Sequence, residues 1–426
     1  MLRTPAADCS PSCYTLCSDN DCLTVCTSFR RLRYRPHSVW SELIRMTLHW
    51  IPPFRVAVWM LVLLFPIQAA AVEFVFVGSR QMGMGGAGVA TTTDSLATYW
   101  NPAGMAMSKK FDMRIQGSGQ VIDRGDVFDT LKDINNLNLN DTSAGNIARL
   151  QQQIDRMNRP GTNLTAAASG GLYVKGNFGE HALGFNVSDV ATAGGFLRGP
   201  VGFTNNGTNL TVNGQFAMNG LEVRQAALSY AYAFMDRMFS IGITGKVIQG
   251  AAYTGATNIR GASNDVRVFE DIGRAKISTA LGIDVGAMFR PSSWLRMGIV
   301  AKDINAPTFD APNGDKFKLL PQVRTGVAVN PYNSLTLTAD VDITKNNTLT
   351  PGVYSQVLSL GAEQTILSEL LSFRLGAFKN MQDAKTPFIP TAGFGLRILA
   401  LRIDIAGGYD FRDQAALASG SIAMTF

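Results

Sequence analysis

The chain has 426 residues and a formal net charge of +6, with 16% charged residues and 42 glycines. That length admits two or three soluble domains or one large barrel. The basic excess is small and gathers into no patch, which excludes nucleic acid as a partner.

The first 71 residues stand apart from the rest. From Met46 the chain reads "MTLHWIPPFRVAVWMLVLLFPIQAAAVEF". Arg55 supplies a positive n-region, and Val56 to Ile67 form a short apolar h-region with Pro66 near its end. Ala69 and Ala71 place small residues just ahead of Val72. This pattern predicts a secretory signal peptide over 46–71, with an apolar run too short for a comfortable membrane span. All five cysteines (Cys9, Cys13, Cys17, Cys22 and Cys26) lie upstream of Met46. Residues 1–45 precede a complete signal peptide, so they are expected to be a non-native upstream extension. The exported chain is then 72–426, without cysteine, and Val72 at the cut excludes a lipoprotein. The discarded part holds 7 of the 38 Lys+Arg and 4 of the 32 Asp+Glu, which leaves 31 against 28.

Next comes "GSRQMGMGGAGVATTTD" (78–94), with Gly83, Gly85 and Gly88 in G-x-G-x-x-G spacing. A dinucleotide-binding turn needs a strand before it, a helix after it and a surrounding βαβ unit. Here "VEFVFV" begins at the cleavage site, and "VATTTDSLATYWNPAGMA" has three successive threonines, a proline and no helical period. No cofactor is expected. The glycines, Gly86 among them, suit backbone threaded through a tight space.

Beyond residue 108 a period of two recurs. In "SLTLTADVDIT", Leu335, Leu337, Ala339, Val341 and Ile343 share one face of a strand, while Thr336, Thr338, Asp340 and Asp342 share the other. "STALGIDVGAMFR" and "LRIDIAGGY" repeat the pattern. Fourteen such segments follow: 112–121, 162–175, 181–190, 222–234, 238–250, 276–289, 294–302, 319–329, 335–343, 353–365, 370–379, 391–398, 401–409 and 419–426. Most have the length of a tilted membrane-spanning strand, and their connections alternate short and long. Short ones include "NFGE", "MDR", "PSS", "NPYNS" and "LA"; the long ones begin with 122–161, which carries two segments expected as short polar helices. The rhythm predicts an all-β fold: an antiparallel transmembrane barrel of about fourteen strands over 109–426, short turns in the periplasm and long loops outside. In lipid a sheet must close on itself to leave no unpaired edge. Inward glycines (Gly242, Gly282, Gly286, Gly298, Gly326 and Gly395) suit a crowded interior or a bent wall.

On this register the lumen face carries Lys246, Asp284, Arg296, Lys302, Arg324, Asp340, Asp342, Glu363, Arg374, Arg397, Arg402 and Asp404. Two readings stand: a polar pathway or headgroup site, and a ladder of cross-strand ion pairs that fills the lumen. Unpaired charge there is costly, so the ladder is the expectation. Catalysis and metal binding are not expected. The exported chain has one histidine, His181, at a turn, and Ser188 lies at the other end of its strand.

The glycine segment, with Asn101, Pro102, Ala103 and Gly104 after it, resembles the N-terminal hatch of FadL-type outer-membrane channels. "VAKDINAPTF", "VRTGVAVNPYNSLTLTADVDITKN" and "LSLGAEQTILSELLSFRLGAF" are similar to the exported barrel family named conjugal transfer protein TraF. The end, "GSIAMTF", resembles the assembly signal of outer-membrane barrels, closing on Phe426. The resemblance implies that 72–108 fold into the periplasmic mouth and plug it, with Asn101 and Pro102 as a movable tip; a static turn is the alternative, since Asn-Pro favours turns anyway. It implies outer-membrane localisation, with lipid and the barrel-assembly machinery as partners. For function it implies a passive channel for hydrophobic small molecules, or a structural barrel of a conjugation or envelope machine bound to other envelope proteins.

Overall fold

The computed structural model describes residues 13–18, 21–26, 74–259, 274–383, 387–410 and 414–426. The chain divides into two units, Met1–Ile67 and Gln68–Phe426. In the first, Cys13–Ser18 pairs with Asp21–Cys26 in an antiparallel ladder. The expected signal peptide, with Ala69 and Ala71, lies outside the described residues.

In the second unit the alternating segments form fourteen strands: β1 (Asp112–Arg124), β2 (Asn163–Phe178), β3 (His181–Leu197), β4 (Gln215–Phe234), β5 (Phe239–Asn258), β6 (Lys276–Phe289), β7 (Leu295–Lys302), β8 (Gln322–Tyr332), β9 (Leu335–Asp342), β10 (Val357–Ile366), β11 (Leu371–Asn380), β12 (Ile389–Ile398), β13 (Leu401–Asp410) and β14 (Ala415–Thr425). Each pairs antiparallel with the next, and β14 pairs with β1 to close the barrel. Past the end of β14, Phe426 exchanges two backbone hydrogen bonds of 3.0 Å with Phe111.

The period of two sorts the side chains. Leu281, Ile283, Val285, Ile403 and Ile405 face outward, while Asp284 and Asp404 are buried inside. The outward faces form the apolar band that a bilayer requires. Aromatic rings gather at its short-turn end, with Phe239 stacked on Phe234 and Phe289 at 5.5 and 4.5 Å between centroids. This is a transmembrane barrel.

Its rim is uneven. Strands β3, β4 and β5 run 17, 20 and 20 residues, whereas β7 to β14 run 8 to 11. The sequence reading stops β3 at 190 and starts β4 at 222 because alternation fails there. Phe216, Ala217 and Leu221 are all buried, so past the apolar band protein covers parts of both faces. Above this tall wall sit α3 (Val127–Asn136) and α4 (Ala144–Met157), following two short helices named below. They are amphipathic rather than simply polar: Val127, Leu131, Ile134, Leu150, Ile154 and Met157 join a second core with Val201, Leu210 and Val212.

Candidate functional site

Residues 74–108 lie inside the barrel as a plug, buried nearly throughout. They contain α1 (Ser79–Gly83), α2 (Ala97–Trp100) and a 3-10 turn, Pro102–Met107. The glycine motif is where plug backbone meets wall backbone. Gly85 and Gly86 have φ of +67° and +82°, the left-handed region that glycine enters freely. A methyl group on Gly83 would sit 3.1 Å from the Gly393 Cα, and one on Gly376 would strike the Met84–Gly85 peptide. The N–H groups of Gly88 and Val89 donate to one carboxylate oxygen of Asp340, at 2.7 and 2.8 Å. The loop therefore does bind an anion through its amides, but the anion is a side chain of the wall.

Asn101 caps the 3-10 turn by accepting from the Ala103 N–H, and its amide donates to the carbonyls of Val89 and Ala287, all at 3.2 Å. Ser240 donates to the Ala103 carbonyl at 2.7 Å, and the Pro102 carbonyl carbon would lie 2.5 Å from a methyl on Gly242. A methyl on Gly104 would strike the Thr92 carbonyl. Pro102 occupies the first turn, where its missing N–H costs nothing.

The inward charges fall into three groups. On β10 to β13, Glu363 accepts from Arg80 of the plug (2.7 Å) and Arg374 (2.6 Å), and Asp404 lies 2.9 Å from Arg374, 3.0 Å from Arg402 and 3.3 Å from Arg114. Arg114 also holds Asp94 of the plug at 3.0 Å. On β5 to β7, Lys246 bridges Asp284 (2.8 Å) and Asp303 (2.6 Å). Between these groups, Arg324 pairs with Asp342 at 3.3 Å and donates to Ser359 at 2.9 Å. Lys302 lies over the Tyr99 ring at 3.3 Å, and Arg324 over Phe74 at 4.8 Å. Arg296 donates to the Ala90 carbonyl at 3.3 Å, and Arg397 pairs with Glu369. Burial works against the charge on Arg80, but Glu363 outweighs it and the pKa is raised. Burial pushes the Tyr99 phenol well above its ordinary value.

On the long-loop side of the plug an apolar cluster adjoins polar residues of the wall, Gln120, Arg124, Asn163 and Thr165 among them. Phe74 and Phe76 pack with Ile122, Val357, Phe378, Ile389 and Leu417, with the Phe76 and Phe378 rings 4.9 Å apart edge-on. A cavity of about 40 Å³ remains there. Two loops fold inward above it. The hairpin of Thr308–Asp310 with Lys316–Lys318 buries Phe309 where Gly250 leaves room. Thr350 abuts Gly194 across the lumen, and Asn219 donates to the Leu349 carbonyl at 2.9 Å. On the short-turn side a polar cleft of about 270 Å³ lies between plug and wall.

Sequence reasoning missed Arg80 and Asp94, which lie in a segment with no strand period, and Asp303, just past β7. It also missed Arg114, although the alternation of Asp112, Arg114 and Gln116 with Met113 and Ile115 is a signal that could have found it. His181 and Ser188 lie on opposite faces of β3: His181 meets the Tyr230 hydroxyl at 2.8 Å outside, while Ser188 donates to Asn186 inside.

A closed fourteen-stranded barrel with its own leading segment packed in the lumen defines a plugged transmembrane barrel. The family model described as "F plasmid transfer operon, TraF, protein" matches residues 98–342, more than half of the sequence, and the chain belongs to that family. Among solved structures it is similar to the toluene transporter TbuX of Ralstonia pickettii (15% identity, 82% of this chain and 97% of that one, TM-score 0.49). It is also similar to the toluene transporter TodX of Pseudomonas putida (10%, 84% and 99%, 0.45) and to a Pseudomonas aeruginosa FadL homologue (11%, 84% and 99%, 0.42). No curated protein matches the chain.

Proposed function

We propose that this protein is an outer-membrane channel for passive uptake of hydrophobic small molecules, exported by its signal peptide and gated by residues 72–108. The observation that carries the reading is the division of the lumen. A barrel serving only as scaffold needs no more than paired charges to fill it. Here the plug presents Phe74 and Phe76 to Ile122, Val357, Phe378, Ile389 and Leu417 on the long-loop side, where Lys302 and Arg324 also lie over the Phe74 ring, and its ion pairs with Glu363 and Arg114 lie toward the short turns. An apolar solute gains by moving from water onto those apolar side chains, while an ion does not. Seating the plug with hydrogen bonds to the wall makes it a separable piece rather than another strand. The test is flux through the intact barrel in liposomes, comparing an apolar solute with a sugar of similar size. Selective apolar flux that rises when 72–108 are deleted supports the reading; equal or absent flux in the intact barrel defeats it.

A second reading, a structural barrel of a conjugation or envelope machine, draws support from the family membership and from the separately packed cap of α3 and α4. It requires envelope proteins that co-purify with the barrel and are lost when 122–161 are removed.

A further inference from the structure

The lining of the cleft on the short-turn side carries more cations than anions. Six Lys and Arg side chains line it against four Asp and Glu. The register sharpens the imbalance. Arg397 on β12 is the direct cross-strand partner of Arg402 on β13. Arg402 is opposite Ala423 on β14, and Ala423 is opposite Arg114 on β1. Three arginines therefore stand at one level on four adjacent strands, all on the lumen face, with a single methyl group between the second and third. Like charges directly opposite one another weaken a sheet unless something intervenes.

Nearby acids intervene only in part. Arg402 approaches Asp404 with Nε and, at 3.9 Å, Glu363 with Nη2, and Arg397 pairs with Glu369, whose side chain is 61% exposed. The Arg402 side chain keeps 22% of its exposure. Arg114 is fully buried against Asp94 and Asp404, yet its Nε has no hydrogen-bond partner among the described residues. Buried guanidinium donors without acceptors are costly; water or a carbonyl can answer them, and an acceptor carrying negative charge answers them most strongly.

We propose that the cleft is a binding site for a small oxyanion, a phosphate or carboxylate group held between Arg397 and Arg402 in competition with the exposed Glu369 carboxylate. Guanidinium groups on adjacent strands suit such a group because each can offer two parallel N–H donors to its oxygens. The cleft volume of about 270 Å³ takes one such group together with several waters. The site shares Glu363 with the plug, since that carboxylate holds Arg80 and faces Arg402. An oxyanion on Arg402 thus sits one ion pair away from the plug. The proposal does not depend on what the channel carries.

The test is calorimetric titration of the intact barrel, in uncharged detergent at neutral pH, with inorganic phosphate. Acetate serves as the carboxylate arm, and chloride at matched ionic strength is the control. Saturable binding in roughly the millimolar range is expected, at least about tenfold weaker in Arg402→Gln. Ala423→Glu, which puts a carboxylate into the gap, is expected to abolish binding and raise the temperature at which gel mobility shifts. If Arg402→Gln lacks native gel mobility, Arg397→Gln is read in its place. The proposal is overturned if neither phosphate nor acetate saturates below about 50 mM. It also fails if the Gln variant titrates like the parent.

Discussion

Asp340 joins the two halves of the molecule at the scale of single atoms, because one of its oxygens takes two plug amides. Hydrogen bonds to a charged group contribute about 1.5–3 kcal/mol each. Asp340→Asn keeps the shape and removes the charge. We expect it to loosen the plug by about 2 kcal/mol, seen as roughly thirtyfold faster hydrogen exchange at Gly88 and Val89. Unchanged exchange would show that packing, not this carboxylate, holds the loop. Glycine supplies a sharper comparison. A side chain at Gly376 meets the plug backbone, whereas one at Gly420 meets nothing within 4 Å. Gly376→Val should leave a folded barrel whose plug is cut by protease, and Gly420→Val should leave it protected. Equal protease resistance in the two variants would contradict the seating described above.

Among the elements, the strands were legible and their upper ends were not. Where one face meets lipid and the other the lumen, as at Leu335–Asp342, alternation fixes both the strand and its register. Where loops and helices cover the wall, as around Phe216 and Leu221, a third environment replaces that contrast and the period fades. The inward hairpin carrying Phe309 was illegible for a related reason: three-residue strands give no period at all. The helices of the first long loop were visible, but their shared core needs Val201, Leu210 and Val212 from another loop. That core is separate from the lumen cluster, which gives a prediction at this scale. Leu150→Ala, at a fully buried position, should cost about 2–5 kcal/mol within the cap and leave the barrel intact. Helical circular dichroism should then melt at a lower temperature while the β signal keeps its own transition. A single shared shift would show that cap and wall unfold together.

For the molecule as a whole, closure makes the outside apolar and the inside ionic, with no disulfide in 72–426 to hold it, since every cysteine lies upstream. Backbone ladders and the buried charges must supply the resistance to unfolding. The membrane-extracted chain is expected to run faster on a gel before boiling than after, with a β-dominated dichroism spectrum. The same mobility both ways would argue against a closed wall. Placing the charges inside was within reach of the sequence. Pairing them was not, because partners such as Arg80 and Glu363 are separated by 283 residues.

That separation also sets an order of events in time. Gly85 reaches Thr391, which is made 306 residues later. Ribosomes deliver the plug first and its socket last, so throughout synthesis Phe74, Tyr99 and Trp100 can rest only on one another and Phe76 lacks its partner Phe378. Contacts this remote form slowly, and the seam between β14 and β1 joins the two ends of the barrel sequence. A wall that closes while the plug is unseated would leave an empty ring with a sticky tail.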